Sequence, residues 1–144
     1  MGIFDIFESW NNVKVLSFLQ ISKKRAENLR NRSLKQQRAI ELELVKQLKL
    51  GKEEKARLKA EQILRERSNE LAMDLLETYI EAVATRVKYL GECREVPAEM
   101  KQPIASIIYA EKRFFLKKNT NFELFRKKFN KTARFFALSR YFVN

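Results

Sequence analysis

The chain has no histidine, one cysteine, two prolines and three glycines among 144 residues. Each shortage excludes something. Without histidine there is no Ser-His-Asp or Cys-His site and no imidazole metal ligand. A single cysteine, Cys93, rules out an internal disulfide and any cysteine-rich zinc site. Three scattered glycines cannot build a Gly-rich phosphate loop or a dinucleotide fingerprint. So few Gly and Pro argue against a turn-rich all-β fold. Long apolar runs are missing too, since stretches such as 15–22 and 102–110 fall short of the roughly 18–20 residues a membrane span needs. The first residues lack the basic region of a signal peptide, and Asp5 and Glu8 interrupt their apolar run. Ile6 stands where a myristoylation signal wants Ser or Thr. No catalytic residue, cofactor or metal is expected. With no secretory signal and one thiol, the cytosol is the expected compartment.

What is present is positive charge on a helical pattern. Hydrophobic residues make up 45%, enough for a core, and 30 Lys plus Arg face 18 Asp plus Glu, for a net +12. The charge is uneven. Residues 1–50 carry 10 basic and 5 acidic groups, residues 51–100 carry 9 and 11, and residues 101–144 carry 11 and 2. In the first part Lys23, Lys24, Arg25, Arg30, Arg32, Lys35 and Arg38 have only Glu27 as a nearby acid in sequence. Such a run attracts anionic lipid headgroups, acidic proteins or nucleic acid, or is simply a solvated helix face.

From about Asn12 to Leu50 there is no Gly or Pro, and Leu16, Leu19, Ala26, Leu29, Ile40, Leu44 and Leu48 recur mainly at helical spacings. The stripe thins between Ser22 and Arg38, so this helix needs a partner. Gly51 then ends the helix, and Glu53 and Glu54 suit the positive end of a new one. So short a connection makes the two helices antiparallel. The second helix is predicted from about Lys52 to Leu90, with a stripe of Ala56, Ala60, Ile63, Leu64, Leu71, Leu75, Leu76, Tyr79, Ile80, Val83, Val87 and Leu90. Gly91 and Pro97 end it. A shorter third helix places Ile104, Ile107, Ile108 and Phe115 against the hairpin, with Pro103 in or near its first turn. Asn119, Thr120 and Asn121 read as a break and cap, before a fourth helix carrying Phe122, Phe125, Phe129, Ala133 and Phe136. Residues 1–12 form an apolar N-terminal segment and 13–144 one helical domain.

Several residues admit two readings. Ile3, Phe4, Ile6, Phe7 and Trp10 suit a membrane interface or the end of the core. Arg57, Glu61 and Arg65 form an ion-pair ladder or a subunit contact. Phe interleaved with Lys and Arg after Lys112 suits base stacking, but the shared helical face of Phe122, Phe125, Phe129 and Phe136 favours core or protein docking. The Glu77–Glu81 pair would need a cleft for catalysis. Cys93 has no catalytic partner in the pattern.

Two blocks are specific. The segment LGKEEKARLKAEQILRERSNELAMDLLETYIE, through Gly51, Lys52, Glu53, Ala56, Arg57, Leu58, Glu61, Arg65, Glu66, Leu76, Glu77 and Tyr79, resembles the signature of the increased-sodium-tolerance family of ESCRT-III-related proteins, also called regulators of vacuolar sorting. The segment PAEMKQPIASIIYAEKRF resembles that family's second block, through Pro97, Met100, Lys101, Ile104, Ser106, Ile107, Ile108, Tyr109, Ala110 and Arg113. Phe122–Arg126 with Phe129 resembles a third, and the likeness covers roughly residues 13–136.

The resemblance implies an all-α, elongated antiparallel hairpin of two long helices with two shorter helices packed on it. It implies a non-enzymatic scaffold in endosomal, multivesicular body sorting, peripheral at endosomal membranes. The implied partners are ESCRT-III subunits of the charged multivesicular body protein type, with co-assembly into filaments and regulation of an AAA ATPase. With no Pro-rich linker before Asn144, contact with that ATPase is expected to be indirect. A monomeric helical adaptor and a basic nucleic-acid-binding protein are the alternatives.

Overall fold

The computed structural model describes residues 10–115 and 120–136, the side chains of 120 and 130–136 excepted. Ile3, Phe4, Ile6, Phe7, Asn119, Tyr141 and Phe142 lie outside the described residues, as do the side chains of Ala133, Phe135 and Phe136. The described residues form five helices and no strand: α1 (Asn12–Lys49), α2 (Glu53–Ala84), α3 (Val87–Glu92), α4 (Ala98–Phe114) and α5 (Thr120–Phe136). The fold is all-α, with two long helices in an antiparallel hairpin and shorter helices after it. The chain divides into two compact units, one made of residues 1–24 with 76–144 and the other of residues 25–75.

The unit 25–75 is the closed end of the hairpin. Helix α1 stops because Gly51 takes φ +70°, a left-handed conformation that costs glycine nothing. There the Gly51 N–H donates to the Leu48 carbonyl and the Lys52 N–H to the Gln47 carbonyl, each at 3.0 Å. This pair of bonds is the Schellman arrangement, which satisfies carbonyls a helix end leaves over. Glu53 and Glu54 then occupy the first turn of α2, as expected from the dipole. Inside this unit the seam is narrow and partly polar. Ala26 and Ser33 of α1 are buried, as are Ala56 and Met73 of α2. Gln37 donates to Glu70 at 2.7 Å. With its amide nitrogen turned toward α2, Gln36 donates to both carboxylate oxygens of Glu66 at 3.1 Å.

The other unit holds the large apolar core. It takes α1 up to Lys24, α2 from Leu76, and the three shorter helices. Phe18, Leu19, Leu76, Ile80, Leu90, Ile104, Ile107, Phe125 and Phe129 are among its fully buried side chains. Phe18 lies 5.5 Å, centroid to centroid, from both Phe122 and Phe125, which fastens α5 to α1. Aromatic pairs at this spacing add to the burial of their area. Helix α1 enters this unit behind a side-chain cap, because Asn11 Oδ1 accepts the Lys14 N–H at 3.1 Å.

Four expectations are corrected. The second long helix does not run unbroken to Leu90. It ends at Ala84, and α3 starts at Val87. At the break Arg86 has φ −119° and ψ 18°, its N–H reaches only three residues back to Val83, and the Thr85 hydroxyl donates to the Ala82 carbonyl at 2.9 Å. A side-chain hydroxyl competing for a helix carbonyl is a local alternative to the regular ladder. Gly91 therefore does not end the long helix. It lies in the last turn of α3, and Cys93 is the C-cap. Pro103 sits one turn deeper than expected, as the sixth residue of α4, because Pro97 is the N-cap. The stripes also differ in detail. Leu16, Leu48, Leu64, Leu71 and Leu75 are exposed, while Val15, Phe18 and Met73 are buried in their place.

The burial pattern explains the last correction. The inward face of α1 follows Ser22, Ala26, Leu29, Ser33, Ile40, Leu44 and Gln47, at spacings that keep one side toward a partner helix. Small and polar residues fill the middle of that face. Hydrophobicity alone therefore reads it as thinning, although it is continuous.

Candidate interaction surface

The basic run does not form one uniform face. Lys23 pairs with Glu81. Arg30 pairs with Asp74 at 3.1 Å. Both acids belong to α2, so the hairpin brings to the run the carboxylates its own stretch of sequence lacks. Arg25 is half-buried and Lys24 exposed. Arg32, Lys35 and Arg38 stay exposed, with no ion-pair partner among the described residues. Exposed pairs of this kind contribute little to stability, about 0–1 kcal/mol each. The open cations are thus the part of the run that the hairpin leaves unpaired.

They share their face with apolar residues. Lys35, Arg38, Leu42, Val45 and Lys49 follow one another at spacings of 3, 4, 3 and 4, and all are exposed. Leu42 is 76% exposed. Helix α2 carries a second outward stripe of the same rhythm, made of Arg57, Glu61, Leu64, Ser68, Leu71 and Leu75. Leu64 and Leu71 are 63% and 61% exposed. A helix with apolar residues at heptad spacing on one face ordinarily buries that face against a second helix. Here each long helix has one such face turned to the hairpin and one turned to solvent, all within residues 25–75.

Near the bend lies a cleft of about 350 Å³, lined by Leu44, Leu48, Glu53, Ala56, Arg57 and Ala60. A second, more polar cleft of about 400 Å³ is lined by Gln36, Ala39, Ile40, Gln62, Arg65 and Glu66. The first cleft shares Arg57 with the outward stripe of α2. Neither holds the convergent titratable groups of a reaction centre. Among the described residues no group of three His, Cys, Asp or Glu is placed to hold a metal ion, and no helix is long and apolar enough to cross a membrane.

The residues of the family signature fall into distinct roles. Gly51 makes the turn. Arg57 is exposed and lines the first cleft, and Glu61 lies 3.8 Å from Arg65 in an exposed ion pair. Glu66 faces Gln36. Glu77 and Tyr79 are half-buried, and Glu77 and Glu81 do not act as a pair, since Glu81 is taken by Lys23. In the second block Pro97 caps α4, Ile104 and Ile107 are core, Tyr109 is half-buried, and Lys101 and Arg113 are exposed.

The shifted acid–base groups lie outside the stripes. Glu99 is held below its ordinary range by a hydrogen bond with its own main-chain N–H, and next by Arg86, 3.1 Å away. Glu123 is lowered by its hydrogen bond from Arg126, whose guanidinium is raised in turn. These shifts mark structural pairs at the starts of α4 and α5.

Sequence reasoning missed one feature and left another open. Ser22 donates its hydroxyl to Glu111, and both residues are buried. Trp10, one of two readings at the N-terminal segment, belongs to the core side. It lies 5.6 Å from Phe129 and 6.3 Å from Phe125, centroid to centroid. Residues 89 apart in the chain carry no shared local pattern, and only the apolar phase of Ser22 hints at burial.

A comparison with curated proteins gives no match. The profile of the family described as regulator of Vps4 activity in the MVB pathway, Ist1, matches residues 17–137, which takes in the hairpin and the shorter helices after it. Hairpin, signature residues and match agree, and the chain belongs to the Ist1 family.

Proposed function

We propose that the chain is a non-enzymatic scaffold of multivesicular-body sorting that binds ESCRT-III subunits of the charged multivesicular body protein type and modulates their filaments. The observation that carries this reading is the pair of outward heptad stripes on residues 25–75. Helices with exposed leucines at heptad spacing gain stability when a neighbouring helix covers them, which is the physics of lateral assembly. Membership of a family that regulates Vps4 activity supports a place in the same pathway. In this reading the ATPase is reached through the assembled partner. The open cations Arg32, Lys35 and Arg38 attract the assembly to an anionic endosomal membrane from the cytoplasmic side.

The test is sedimentation of the purified chain with anionic vesicles, with and without a charged multivesicular body protein, alongside electron microscopy of the same mixtures. Co-pelleting and a filament or coat with the partner present are expected. Binding without any filament or coat would leave a monomeric adaptor as the better description.

A further inference from the structure

Trp10 stands where three segments of one unit meet: the chain before α1, the last turn of α3, and α5. Its indole lies on Gly91. A Cβ there would come within 2.3 Å of Trp10 Nε1 and 2.5 Å of Cδ1, so the ring would have to shift to admit one. Helix α5 closes over the ring from the other direction. Lys128 Nζ is 5.2 Å from the ring centroid and donates to the Gly91 carbonyl at 2.6 Å. A cation over an indole face is attracted by its quadrupole, and a cation at a helix C-terminus satisfies an open carbonyl. Phe129 meets the indole edge-on, with the planes at 83°.

The polar contacts of this cluster are of a kind that can open. The indole N–H donates to Asn12 Oδ1 at 2.7 Å, only two residues on, so that partner stays with it. Asn12 and Lys128 are exposed, so water replaces either contact at once. At this corner the three segments are therefore held mainly by aromatic packing around one ring, beside the Phe18 contacts that fasten α5 to α1.

We propose that Trp10 is a latch: the segment that precedes α1 and helix α5 dock on the end of α3 together, and displacing one loosens the other there. Loosened, α5 bares the edges of Phe125 and Phe129 that Trp10 covers, beside Arg126, Lys127 and Lys128, an apolar edge with a cationic flank. The latch stands independently of what covers the outward stripes of the hairpin.

The chain has one tryptophan, so its emission reports the latch directly. The experiment is hydrogen exchange of the full chain, read on peptides from 120–129 and from 25–75, together with tryptophan emission. Trp10→Ala and Gly91→Ala are each expected to speed exchange in α5 about tenfold or more, with residues 25–75 unchanged. Gly91→Ala keeps the indole and should move its emission to longer wavelength. Reciprocity requires that Phe125→Ala shift the Trp10 emission the same way. Unchanged α5 exchange in Gly91→Ala despite a shifted emission would overturn the proposal. So would a uniform rise across both units, which would make Trp10 an ordinary core residue.

Discussion

Gly51 and Gly91 both sit near helix ends, and each is glycine for a different reason. At Gly51 the cause is the backbone, since φ is +70° and a Cβ added there would meet nothing within 4 Å. Gly51→Ala should therefore cost about 1 kcal/mol through strain alone, seen as a lower urea midpoint with an unchanged slope. At Gly91 the cause is a neighbour, the indole of Trp10. The first requirement is local and was legible as a break between two helical patterns. The second depends on a residue about eighty positions earlier and was not. The Ser22–Glu111 contact belongs to the same class. Removing the hydroxyl with Ser22→Ala takes one donor from a buried carboxyl group, and a loss of about 1–2 kcal/mol in chemical denaturation is expected. Glu99 and Glu123 give a pH signature. Each holds its proton less tightly folded than unfolded, so each stabilises fully above the ordinary carboxylate value of 4.5. That contribution disappears as pH falls through the lower folded value. Replacing both with Gln should flatten the acid limb of a Tm-against-pH curve while leaving its neutral region nearly level.

At the scale of the element, helix α2 shows why periodicity locates a helix better than it orients one. Leu71 and Met73 are two residues apart, yet Leu71 is largely exposed and Met73 is 3% exposed. Both fit a helical stripe, because α2 has apolar residues on two faces. Hydrophobicity favours leucine for the core, while the phase set by Ala56, Ile80 and Val83 selects Met73. Met73→Ala should cost about 2–5 kcal/mol by leaving a cavity. Leu64→Ser with Leu71→Ser should change stability by no more than about 0.5 kcal/mol per site. In the proposed assembly the double variant nevertheless loses partner binding, and this split between stability and co-pelleting separates a surface from a core. The break at Thr85–Arg86 is a second limit on pattern reading. Val83, Val87 and Leu90 continue the apolar rhythm across it, and all three are buried, so the rhythm survives while the ladder does not.

At the scale of the whole molecule, net charge overstates what is available to a partner. The excess of cations over acids in residues 1–50 is partly answered by Glu81 and Asp74 of α2. The open part of the run is Arg32, Lys35 and Arg38. Reversing these three to Glu should weaken binding to anionic vesicles by about fivefold per residue at low salt, from about 1 kcal/mol for each cation near such a surface. The effect should shrink as ionic strength rises, whereas Lys23→Glu, at a paired position, should do less.

Helix type, the turn at Gly51, the basic balance and the family signature were determined by the sequence alone. Each is a short-range property, set by spacings of a few residues or by composition. The tertiary structure decided which leucines face water, which cations α2 neutralises, what a side chain at Gly91 would displace, and where Trp10 lies. Those outcomes depend on contacts between residues tens of positions apart, and a helix with two apolar faces does not itself specify which one its partner will cover.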